Sequence, residues 1–105
     1  MEHAIMIGSR PVGSDILERP VQGDWDLIVN NEALAKINSD PSLTILRDPN
    51  KAEDSLSYLY KHTSTGECLE VFLAKPGSSN EMLLEMGDGH IETPFFSTAV
   101  AVLLV

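Results

Sequence analysis

Two aspartates one residue apart, Asp24 and Asp26, open the apolar run "DWDLIV" at residues 24–29. Side chains on a strand alternate between faces, so both carboxylates share a face with Ile28. Trp25, Leu27 and Val29 then turn the other way, into a core. Carboxylates side by side repel each other and raise at least one pKa, and a divalent cation between them removes that penalty. A later strand-like stretch, "ECLEVFLAK" at 67–75, offers a third acid. Leu69, Val71 and Leu73 form its apolar face, and Glu70 lies opposite with Phe72. If the two strands are neighbours, parity puts Glu70 beside Asp24 and Asp26. Glu67 shares the Leu69 face at the turn and reads as solvated. Asp24, Asp26 and Glu70 are therefore the candidate metal ligands and catalytic carboxylates. Mg²⁺ takes one or two carboxylates plus waters and substrate phosphates, and two such ions can activate an attacking oxygen and stabilise a leaving one.

A second set of residues suits an anion. The apolar run before Gly8 stops at "GSR", residues 8–10. A glycine at a strand end lets the backbone approach a phosphate. Ser9 can donate a hydroxyl and a backbone N–H, and Arg10 a guanidinium fork, unless it pairs with Asp15 or Glu18 instead. Neither G-x-x-x-x-G-K-[ST] nor G-x-G-x-x-G is present, so this is not a P-loop or a dinucleotide fingerprint.

"GSR", a loop, and then "DWDLIV" resemble the signature of the nucleotidyltransferase superfamily typified by DNA polymerase beta, and its small, minimal members above all. The similarity spans roughly residues 4–74 and is sharp at 8–10 and 24–29. The resemblance implies a mixed sheet backed by helices, in which Gly8 and Ser9 hold the triphosphate. It also implies that Asp24 and Asp26 bind Mg²⁺, with Glu70 as third carboxylate and base. The implied activity is transfer of a nucleoside monophosphate from a nucleoside triphosphate, ATP among them, to a hydroxyl on a protein, RNA or small molecule. Three departures stand against it. Pro11 and Pro20 shorten the helix after the turn, Glu70 replaces the commoner Asp, and the helical C-terminal part is barely present.

The elements that must position these residues fit one domain of 105 residues. A hydrophobic fraction of 43% excludes a chain disordered by composition. The formal charge of −9 repels nucleic-acid phosphates and anionic membranes, which argues against broad nucleic-acid binding and favours cations. One cysteine, Cys68, cannot form an intrachain disulfide, and a reduced, cytoplasmic setting is expected. No stretch has the length of a membrane span.

Strands are expected at 3–8, 24–29, 42–47, 55–63 and 67–75, the last two as an antiparallel hairpin around "STG". A short helix is expected within 14–18 and a longer one over 30–40. In the longer one Asn31 is the N-cap and Ala33, Leu34 and Ile37 share a face. "EMLLEM" is a short helix or strand, "GDG" at 87–89 a tight turn, and a last element follows Pro94. The fold class is α/β in the α+β sense: a mixed, mostly antiparallel sheet with a few short helices. The apolar end, residues 99–105, reads as a truncation, as a surface for a protein partner or a second copy, or as a terminal core strand.

Weaker candidates have plain structural readings. His3, His62 and His90 lack metal-ligand spacing, "GDGH" lacks the further acids of a calcium loop, and Cys68 is a structural thiol. Beside the enzyme stands a second reading, a catalytically inactive module of the same fold acting through a protein partner. A third is a structural protein whose carboxylates share no site.

Overall fold

The computed structural model describes residues 1–8, 10–11, 24–51 and 57–101. Ser9, the expected helix at 14–18, the start of the 55–63 strand and residues 102–105 lie outside the described residues. Within them the chain forms β1 (Ala4–Ile7), β2 (Trp25–Val29), α1 (Asn31–Asn38), β3 (Leu43–Arg47), β4 (Tyr58–His62) and β5 (Cys68–Leu73). Helix α2 (Ser79–Met86) and strands β6 (Asp88–Glu92) and β7 (Ser97–Val100) follow. The seven strands make one sheet in the order β3-β4-β5-β2-β1-β7-β6. The pairs β2–β5 and β1–β7 are parallel, and the other neighbours are antiparallel. This is the mixed, mostly antiparallel α+β sheet that the sequence predicts.

The central strands are buried on both faces, and each helix covers one. Ala4, Met6, Leu27, Val29, Tyr58, Tyr60, Leu69 and Val71 form one face, closed by Ala33, Leu34 and Ile37 of α1. Ile5 and Ile28 form the other, closed by Leu84 of α2 with Ile7, Phe72 and Ala99 around them. Leu27, Ile28 and Val29 are therefore an unbroken apolar run because both faces of β2 are covered there.

Local chemistry explains the element ends. The N-cap of α1 is Asn30, not Asn31: Asn30 Oδ1 accepts the Ala33 N–H at 2.9 Å and the His3 N–H at 3.0 Å. One side chain thus caps the helix and ties it to the chain entering β1. Ser78 caps α2, its hydroxyl accepting the Glu81 N–H at 3.3 Å. The β4–β5 hairpin closes with Gly66 at φ +74, its N–H donating to the His62 carbonyl at 2.8 Å. Residues 87–89 differ from expectation. They lead straight into β6, and Gly89, at φ +80, sits where the β6–β7 register shifts. A bulge uses the same glycine freedom as a tight turn, so the sequence signal was shared between them.

Helix α2 ends against the sheet at Gly87. A Cβ there would lie 2.2 Å from Cγ2 of Ile5, which is fully buried. We expect Gly87→Ala to cost about 2 kcal/mol by overpacking in urea denaturation. Gly77→Ala meets nothing within 4 Å, so its only cost is that of left-handed backbone, about 1 kcal/mol. Equal losses would show that α2 does not press on Ile5.

Candidate active site at the strand ends

Strands β2 and β5 run side by side, and their register sets Asp26 opposite Glu70. On its other side Asp26 pairs with Ile7, the last residue of β1, so Gly8 follows immediately beside it. Gly8 has φ +83, and a Cβ on it would lie 2.7 Å from Oδ2 of Asp26. Only glycine lets the backbone pass this close to the carboxylate in this conformation. Gly8, Asp26 and Glu70 are thus brought together by three adjacent strands. Asp24 stands just before β2 and is exposed. The Arg10 guanidinium lies 4.9 Å from the centroid of the Trp25 ring, a cation–π contact.

The charges in this cluster are unevenly compensated. Burial, followed by the nearby charges of Glu70 and then Asp24, pushes the Asp26 carboxyl up to about 6. Among the described residues Asp26 forms no ion pair. Glu70 is held differently. Its Oε2 accepts from Arg47 Nη2 at 2.8 Å and from Ser57 Oγ at 3.1 Å. Its Oε1 has no hydrogen-bond partner among the described residues.

Among the described residues no three His, Cys, Asp or Glu side chains converge closely enough to hold a metal ion. Register joins two carboxylates, Asp26 and Glu70, and Asp24 adds charge. The residues nevertheless fit Mg²⁺, which needs only one or two carboxylates of hard oxygen and takes the rest from water and phosphate. An uncompensated, half-buried Asp26 beside a glycine cradle is the feature that such a cation would satisfy.

Three contacts around the site are not marked in the sequence, where Arg47 and Ser57 read only as strand residues. Glu67 is not merely solvated, since its Oε2 accepts the Trp25 indole N–H at 2.8 Å. The signal was available in part: Trp25 pairs with Leu69, whose face Glu67 shares. His62 is buried at the end of β4, edge-on to Phe95, and its Nδ1 accepts the Thr65 N–H at 3.3 Å. Cys68 is a half-buried free thiol and His90 is exposed. A cavity of about 320 Å³ lies by the other end of β1, lined by His3, Ala4, Lys36, His90 and Phe96 among others.

The raised Asp26 pKa has a definite consequence for stability. Between the ordinary value of 3.8 and about 6 the native chain holds a proton that the unfolded chain has lost. Stability therefore falls as pH rises through that window and stays lowered above it. Solvent screening of a half-exposed group leaves about 1 kcal/mol of the penalty. Asp26→Asn should thus be more stable than the parent at pH 7.5, with the gain gone by pH 3.5, in urea melts at both values. A constant difference across pH would refute the electrostatic cause.

No family model matches this chain, and no curated protein matches it.

Proposed function

We propose that the chain is a small Mg²⁺-dependent nucleotidyltransferase of the polymerase-beta-like type. The single observation that carries this reading is the meeting of Gly8, just past the end of β1, with Asp26 on β2 and Glu70 on β5. That is the arrangement in which a glycine turn faces a pair of acids. Gly8 and Ser9 bind the triphosphate; the Arg10 guanidinium lies over Trp25, whose side chain is on the sheet face opposite Asp26 and Glu70. Asp26 and Glu70, with Asp24, hold the Mg²⁺, which when bound offsets the phosphate charge and lowers the barrier to displacement at phosphorus. An acceptor hydroxyl oxygen bonds to the α-phosphorus, and the bond from that phosphorus to the oxygen bridging to the β-phosphate breaks. Pyrophosphate departs with that electron pair. The hydroxyl proton passes to water beside Glu70.

One observation favours the inactive, partner-binding module as a second reading. Arg47 already neutralises Glu70. In that case the carboxylates are a retained remnant of the fold.

Thermal melting with MgCl₂ and each of ATP, GTP, CTP and UTP tests ligand binding. At a free ligand concentration a hundred times Kd, stabilisation is about 2.7 kcal/mol, a shift of about 10–20 °C for a chain this size. The shift should vanish in Asp24→Asn/Asp26→Asn. Transfer of label from α-labelled nucleotide to an acceptor separates enzyme from binding module. No shift with any of the four nucleotides would sink the enzymatic reading.

A further inference from the structure

The antiparallel pairing of β3 with β4 contains a fault. Ile45 pairs with Tyr60, but the next pair is Arg47 with Leu59, so Leu46 is an extra residue. Without that bulge Leu46 would oppose Leu59, and Arg47 would fall on the opposite face, with Tyr58 and Tyr60. With it, Arg47 joins the row that crosses the sheet through Leu59, Glu70, Asp26 and Ile7. A bulge commonly re-aims one side chain in this way. Here it does so while leaving Leu46 exposed at 53%.

The redirected guanidinium is tied down at several points. Nη2 donates to Ser57 Oγ at 2.7 Å and to Glu70 Oε2 at 2.8 Å, and Nε donates to the Ser57 carbonyl at 3.3 Å. Ser57, itself buried, donates from Oγ to the same Glu70 oxygen at 3.1 Å. Two donors on one carboxylate oxygen fix the carboxylate's plane. They leave its other oxygen without a hydrogen-bond partner among the described residues.

We propose that Arg47 and Ser57 are positioning residues, delivered by the β3 bulge, which orient Glu70 as a carboxylate ligand for the divalent cation. The inference rests on the metal-dependent reading above. Partners that orient ligating carboxylates and imidazoles typically change metal affinity ten- to a hundred-fold when removed. Simple charge counting gives the opposite sign. Deleting a cation near the site should tighten binding of another cation, because Arg47 competes for Glu70. The sign of the effect therefore distinguishes a positioning residue from a competitor.

Mn²⁺ alone serves as the probe, its free concentration read by electron paramagnetic resonance with the full chain. Parent protein should bind Mn²⁺, and Asp26→Asn should abolish that binding. Arg47→Met should weaken it about ten-fold. Ser57→Ala, which changes no charge, should weaken it several-fold. Arg47→Lys, which keeps the charge without the fork, should fall between Arg47→Met and the parent. Far-ultraviolet circular dichroism checks that each variant is folded. Should Arg47→Met fail that check, Ser57→Ala and Arg47→Lys still decide the matter. Unchanged Mn²⁺ affinity in the folded variants would mean that Arg47 only anchors β3, and tighter binding would mean that it competes; either result overturns the proposal. Absence of Asp26-dependent Mn²⁺ binding in the parent would instead remove the metal-dependent reading on which the proposal stands.

Discussion

Two carboxylates, Asp26 and Glu70, are held side by side by the parallel pairing of β2 with β5, and the rest of the site is arranged around that enforced repulsion. The pairing is not set by the acids. It is set by the apolar residues of the same two strands, because Leu27, Ile28, Val29, Leu69 and Val71 are all fully buried. Each such side chain contributes about 1.5–3 kcal/mol on burial. A slip of one residue would exchange the faces of the whole set. Against that sum, a carboxylate pair whose charge costs about 1 kcal/mol after screening cannot shift the register. The sheet core therefore imposes the arrangement, and the local electrostatics adapts to it.

The adaptation is asymmetric, and the asymmetry gives the site its character. Glu70 faces outward along the sheet toward β4 and β3, where Ser57 and a redirected Arg47 neutralise and orient it. Asp26 faces inward toward β1, where the neighbour is a glycine with no side chain to offer. One acid is satisfied by the protein and the other is not. An external cation would complete the second without disturbing the first, since Arg47 and Ser57 both use the same Glu70 oxygen. The same geometry also accounts for the glycine. A side chain at Gly8 would fill the space that Asp26 Oδ2 borders.

Much of this was legible in the chain, and the reasons differ by element. The α1 face of Ala33, Leu34 and Ile37 follows from helical spacing, and the β4–β5 hairpin from two alternating runs around a glycine turn. The choice of Asn30 over Asn31 as the cap was hidden, because two adjacent asparagines carry the same local signal. The bonds from the Ala33 and His3 N–H groups to Asn30 Oδ1 separate them. The "GDG" triplet misled because positive φ serves turns and bulges alike. Arg47 was the least legible of all: strict alternation from Ile45 puts it on the wrong face, and a bulge has no signature in "LTILR".

By itself the sequence determined which face of each strand its residues occupy. That was enough to group Asp24, Asp26 and Glu70 as candidates, because alternation is a local property of extended backbone. Only the tertiary structure decided that β5 lies next to β2, and in parallel. It also decided that Gly8 abuts Asp26 rather than Asp24, and that Arg47 reaches Glu70. Those outcomes depend on pairing partners and on one bulged register, and both are fixed by burial summed over the sheet rather than by any short stretch of chain.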